Sequence, residues 1–268
     1  MRYGILSDIH GNAFALRATV ARLRAVGVDG WLCAGDVVGY GPQPNECVEI
    51  LAELGAACVA GNHELLVLDR LSADRGGRLA RETTPWTRAA LRPDCRAWLA
   101  ALPRTVRLPG LVMAHGSLAD PQRYVTHPAQ AAAELSDLAR RDPDARVLVL
   151  GHTHRPWLFH DGNGTIAVPA GRDGTLPATG RLLLNPGSVG QSRQPERLPR
   201  ARFLLLDTDR EQVRFFAEPY DVAGALAALR QQRLPRSCIQ VPPGRVPALR
   251  RRAATLVRYA RKGLRGTA

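Results

Sequence analysis

The chain has 268 residues, 37 lysines and arginines against 24 acidic side chains, and 45% hydrophobic residues, of which few are aromatic. That is enough for one large or two small globular domains with a mainly aliphatic core. No stretch approaches the ~20 continuous apolar residues needed to cross a bilayer, and Asp8 and His10 break the first apolar run before it could act as a secretory signal, so a cytoplasmic protein with no membrane partner is expected.

Cys33, Cys47, Cys58, Cys95 and Cys238 are odd in number and show no C-x-x-C spacing, which argues against a disulfide framework and a zinc knuckle. The formal charge of +13 invites an anionic partner, nucleic acid included. Lys262 is the single lysine, however, so arginine-rich codon usage explains the excess as well as a basic surface does.

In chain order, residues 2–7 read as a strand and 12–27 as a helix with Leu16, Val20, Leu23 and Val26 at helical spacing, stopped by Gly27. A second strand in "GWLCAGD" ends at Asp36, a helix over 45–54 presents Val48, Leu51 and Leu54, and "ACVAGN" ends at Asn62. Strands that finish on polar residues in an α/β alternation place a site outside their carboxyl ends. The second half predicts a hairpin around Pro109-Gly110, a helix near 128–141, the strand "RVLVLGHTH", a hairpin "PWLFH-DGNG-TIAVP", and strands in "RLLLNPGS", "RFLLLD" and "QVRFFAE". Residues 170–180 read as a surface insertion. The expected fold is α/β, two sheets face to face with helices outside, over a domain of 1–218. Residues 219–268 form an Arg/Pro-rich appendage with amphipathic helix candidates at 222–233 and 246–262, either packed on the core or serving as a basic lid or partner-binding arm.

Five of the seven histidines follow short apolar runs: His10, His63, His115, His152 and His154. With Asp8, Asp36 and Asn62 they supply carboxylate, carbonyl and imidazole donors, a set suited to Mn, Fe, Ni, Zn or Co and poorly suited to Ca. Seven ligands, Asp8, His10, Asp36, Asn62, His115, His152 and His154, are too many for one ion and fit two that share a bridging carboxylate.

The ordered blocks "SDIH", "CAGDVVGYGP", "AGNHE", "AHGS" and "LGHTHRP", with "LLLNPGSVGQSR" beyond them, resemble the calcineurin-like metallophosphoesterases, in particular their small bacterial and archaeal phosphodiesterase branch. The resemblance implies a four-layer α/β/β/α sandwich and two divalent ions, manganese first among the candidates. It assigns Asp8, His10 and His154 to one ion, Asn62, His115 and His152 to the other, Asp36 to both, and His63 to a catalytic place beside them. Direct attack on phosphorus by a hydroxide held between the ions is the implied mechanism. His152 and His154 then serve different ions, which asks for a departure from extended backbone at Gly151 and Thr153.

Asn12, Tyr40, Arg155 and Arg193 are candidate substrate contacts, Asn12 reading also as a helix cap. His127 and His160 read as structural. Phosphoprotein phosphatases and symmetrical diadenosine tetraphosphatases of the resembled family usually carry an arginine clamp where "GDVVGYGP" has Tyr40, so a phosphoprotein substrate is disfavoured. Dinucleoside polyphosphate hydrolysis is supported by G-N-H-E but not by Tyr40, and Tyr40 could stack on a base or donate its hydroxyl. The leading reading is a hydrolase of small phosphoesters or nucleotides. The alternatives are a dinucleoside polyphosphate hydrolase, or a nuclease or nucleic-acid-binding protein using the basic arm. A homo-oligomer is compatible with the resemblance, although no stretch announces an interface.

Overall fold

A computed structural model of the protein describes residues 1–241. The helix candidate at 246–262 lies outside the described residues.

One six-stranded sheet runs in the order β3 (Ala57–Cys58), β2 (Gly30–Cys33), β1 (Arg2–Leu6), β11 (Ala201–Asp207), β12 (Gln212–Glu218), β9 (Asp173–Thr175). The other, also six-stranded, runs β4 (Val106–Leu108), β5 (Leu111–Met113), β6 (Val147–Val149), β10 (Leu182–Asn185), β7 (Trp157–His160), β8 (Gly164–Thr165). Strands β1, β2 and β3 are parallel, as are β5, β6 and β10. Their carboxyl ends therefore gather at one edge of each sheet.

Residue-by-residue alternation builds the layers, because neighbours along a strand face opposite sides. Ile5, Leu32, Met113, Val149, Leu184 and Leu204 point into a core between the two sheets. Their successors Leu6, Cys33 and Leu205 face outward into a core shared with α1 (Ala13–Val26), α2 (Pro44–Glu53) and α5 (Pro93–Ala100). On the far side, Val112, Leu148 and Leu183 pack under α6 (Pro128–Arg141) through Leu135 and Leu138. The result is the α/β/β/α sandwich.

Three features go beyond the local pattern. Residues 62–100, which carry few clean periodic signals, fold as α3 (Asn62–Val67), α4 (Arg78–Ala90) and α5. Helix α4 survives an internal Pro85, and its Thr83 and Thr87 hydroxyls bond back to Leu79 and Thr83 carbonyls. The 170–180 segment is more than an insertion: β9 crosses over to pair with β12, with Asp173 against Arg214. Finally, α7 (Val222–Gln231) packs its Val222, Ala225 and Leu229 into a cluster with Tyr40, Leu66 and Ala80. All five cysteines are free and buried. No helix among the described residues is long and apolar enough to cross a membrane.

Candidate metal centre

Asp8 follows β1, Asp36 follows β2 and Asn62 follows β3; from the second sheet, His115 follows β5, and His152 and His154 follow β6. Five of these polar residues share a feature that strand periodicity does not announce. Asp8, His10, Asp36, His152 and His154 all sit at φ between 51° and 66°, in the left-handed region. Each such non-glycine residue costs of order 1–3 kcal/mol, which the surrounding structure must over-determine. The departure that turns both rings of the G-H-T-H block inward thus includes left-handed backbone at His152 and His154 themselves, with a bend at Thr153 between them.

The side chains converge as two buried trios, Asp8-His10-His154 and Asp36-His115-His152, with His63 also within reach of His10 and Asp36. Asp8 Oδ1 lies 3.2 Å from His154 Nε2 and 3.8 Å from His10 Nε2. Asp36 Oδ2 lies 3.1 Å from His115 Nε2 and 3.9 Å from His10 Nε2, so this one oxygen faces both trios. Asn62 Oδ1 stands 3.1 Å from His115 Nε2.

Hydrogen bonds on the outer side of each ring decide which nitrogen faces inward. Nδ1 of His10, His115 and His154 each meet a backbone carbonyl, of Val38 (3.3 Å), Ala34 (2.6 Å) and Gln191 (2.9 Å), and must be the donors. In the neutral rings Nε2 is then a bare lone pair. His152 is reversed: its Nε2 donates to Gln122 O at 3.1 Å, leaving Nδ1 to face the cluster. His10 Nε2 and His154 Nε2 consequently oppose one another, acceptor to acceptor, at 3.2 Å. Asp8 Oδ1, fully buried, has no hydrogen-bond partner. Such a convergence of acceptors calls for positive charge among them, and the donor set fits divalent metal ions. Burial holds His10, His63 and His154 below the usual histidine range and pulls His152 down to about 3. At His115 burial is outweighed by the Asp36 carboxylate, which lifts the ring to about 9.

Residues 1–211 match the family model described as the calcineurin-like phosphoesterase superfamily domain. The chain belongs to that superfamily. It is 31% identical to a metallophosphoesterase from Sphaerobacter thermophilus of known crystal structure, covering 89% of this chain and 97% of that one, with a TM-score of 0.77. An uncharacterized protein from Methanocaldococcus jannaschii is 27% identical over 235 residues, 86% of this chain and 93% of its own. A symmetrical bis(5'-nucleosyl)-tetraphosphatase from Vibrio parahaemolyticus is 29% identical over 133 residues, 49% of each chain. The protein is thus a metal-dependent phosphoesterase, a hydrolase of ester bonds.

Around the phosphoesterase centre the loops are held by close backbone approach. The Asn185-Pro186-Gly187-Ser188 turn acts as a buckle. Asn185 Nδ2 donates to Gly151 O (2.7 Å) and Thr153 Oγ1 (3.1 Å), and Ser188 Oγ donates to Asp8 O (2.8 Å), tying the Asp8 and His152 loops together. Asn12 caps α1, its Oδ1 accepting from Ala15 N, and its Nδ2 donates to Gly190 O, so both ends of its amide are engaged within the fold. His127 caps α6, and His160 bonds its own hairpin turn and Thr179 O. A cavity of about 650 Å³ opens over the metal cluster, lined by Tyr40, Gln191, Arg193, Arg75, Arg78, Gln122 and Tyr124. Tyr40 packs its ring against His10 and His63. Arg155 is exposed and is not part of the cavity wall. Arg75, Arg78, Gln122 and Tyr124 escape a sequence reading because they lie in loops and at a helix start that carry no motif, and only folding brings them to the centre.

Proposed function

We propose that the protein hydrolyses small phosphoesters or nucleotides at a dinuclear centre. The assignment is Asp8, His10 and His154 to one ion, Asn62, His115 and His152 to the other, and Asp36 to both. The observation that carries it is the acceptor-to-acceptor contact of His10 and His154 beside the unpartnered Asp8 oxygen, which calls for positive charge. Two divalent ions of this kind lower the pKa of bound water toward neutrality and draw the oxygens of a phosphoester into place. Manganese is the first choice, with Fe, Ni, Zn and Co fitting the same donors.

The chain's own residues then position and balance the reaction. Backbone carbonyls on the outer nitrogens fix each ring's tautomer and aim. His63, buried and in edge contact with His10 at 4.7 Å between ring centroids, is placed to hydrogen-bond an oxygen of the ester as charge develops. Arg193 offers a guanidinium fork to non-bridging phosphate oxygens. The leaving oxygen departs into the 650 Å³ cavity, whose size suits a nucleotide or diester better than a phosphorylated protein loop. Purified protein supplied with Mn²⁺ should cleave bis-p-nitrophenyl phosphate or the corresponding monoester, and chelation should abolish the activity. Failure on both substrates with Mn²⁺, Ni²⁺ and Co²⁺ would overturn this reading.

A further inference from the structure

The cavity exceeds what one phosphoryl group needs and falls in the range that encloses a drug-sized ligand. Apart from Asp36 its wall carries no carboxylate, yet it presents three guanidinium groups, Arg75, Arg78 and Arg193. Among the described residues none of the three makes an ion pair, whereas Arg88, further along the same helix as Arg78, pairs with Asp69. The neighbouring Asp74 is turned onto Ser72.

The cavity wall is registered to the metal centre at two points, through the outward nitrogens of the two G-H-T-H histidines. His152 Nε2 donates to Gln122 O, and Gln122 Nε2 donates to Arg75 O, each at 3.1 Å. Tyr124, two residues on, lays its ring over His152 with centroids 4.0 Å apart and remains 45% exposed. At the other histidine, His154 Nδ1 donates to Gln191 O at 2.9 Å, Gln191 Oε1 accepts from Arg193 Nη2 at 3.3 Å, and the Arg193 guanidinium lies beside the Tyr124 hydroxyl.

We infer, resting on the phosphoesterase reading above, that Arg75 and Arg78 form a second phosphate subsite and Tyr124 a base platform, so that the preferred substrate is a nucleoside polyphosphate. Guanidinium forks match phosphate oxygens, and an exposed aromatic face accepts any nucleobase by stacking. Hydrolysis adds one water across one P–O bond: its oxygen bonds phosphorus, the bond to the leaving oxygen breaks, and that oxygen or its surroundings takes up the proton. When the bond is an anhydride the leaving group is itself a phosphate, and Arg75 and Arg78 receive its charge.

Steady-state kinetics of the Mn²⁺-loaded full chain on diadenosine tetraphosphate, ATP, AMP, bis-p-nitrophenyl phosphate and a short single-stranded oligodeoxynucleotide tests this. The polyphosphates should be preferred. R75Q/R78Q should lower kcat/KM for them at least about tenfold more than for bis-p-nitrophenyl phosphate, mainly through KM. Y124A should raise KM for the nucleotides and Y124F should restore it. Equal losses on every substrate, no loss, or a preference for the oligonucleotide would overturn the subsite while leaving the phosphoesterase reading intact. Equilibrium dialysis of α,β-methylene-ADP decides the subsite independently of turnover: weaker binding by R75Q/R78Q supports it, and unchanged binding overturns it. Thermal melts of each variant, with R78Q alone as a milder change, separate loss of binding from loss of fold.

Discussion

Glu64 Oε2 accepts the backbone N–H of Asp36 at 2.8 Å, and the same carboxylate takes Gly61 N (2.8 Å) and Val38 N (3.1 Å). A single buried side chain thereby stitches the loop that bears Asp36 to the turn that bears Asn62 and His63. Glu64→Gln replaces an acceptor oxygen by an NH₂ that cannot accept, leaving at least one buried N–H unpaired at about 1–3 kcal/mol. The variant should melt several degrees lower and bind Mn²⁺ roughly 10–100-fold more weakly. Calorimetric melting and metal titration check both, and wild-type values in each would remove Glu64 from this role.

Asp36 Oδ2 faces both trios while Nδ1 of His152 faces one. Elemental analysis should therefore return about two equivalents of metal for the wild type, about one for His152→Ala, and fewer than one for Asp36→Asn. A full complement in Asp36→Asn would show that this carboxylate is not shared.

Gly190 is where backbone meets backbone: an added Cβ would stand 1.7 Å from Ile9 O, while Gly190 N donates to Asp8 O at 3.0 Å. Gly190→Ala must push the Asp8 loop away and should destabilise the protein by at least about 3 kcal/mol, with loss of metal binding. Gly77, whose added Cβ would meet nothing within 4 Å, serves as the control, and Gly77→Ala should melt with the wild type. Equal melting temperatures for the two variants would refute the close-approach argument.

Chelated protein should be most stable near neutral pH. His10, His63, His152 and His154 are held neutral by burial, so below the ordinary value of 6.5 the unfolded chain binds more protons and stability falls with pH. His115 has the opposite sign: with its folded value near 9, its contribution is complete below 6.5 and is lost as the pH rises through 9. Melting temperatures from pH 5 to 9.5 should trace a bell with the steeper limb on the acid side, where the four histidines outweigh Glu64, whose carboxyl is raised to about 7 by burial and whose contribution runs the other way. Added Mn²⁺ should raise the curve increasingly toward alkaline pH, as the last ligand, His115, gives up its proton. A melting temperature that climbed steadily toward pH 5 would contradict the burial argument.

Strand identity, the order of the layers and the roster of strand-end donors were readable in the linear chain. The short apolar runs in "YGIL", "VMAH" and "LVLGH" are local signals of strands buried on both faces, and their ends mark both where a strand stops and which polar residue follows it. Folding alone determined which ring nitrogen each histidine turns inward, since that depends on the carbonyls of Val38, Ala34, Gln122 and Gln191, up to 81 residues away along the chain. It also placed the strain on the donors themselves, excluded Arg155 from the cavity wall, spent Asn12 on its helix, and brought Arg75, Arg78, Gln122 and Tyr124 into one cavity wall with Arg193. Periodicity reports which way a side chain faces within its own element. A cavity is made where separate elements meet, and that meeting is governed by packing between distant segments that no short window of sequence contains.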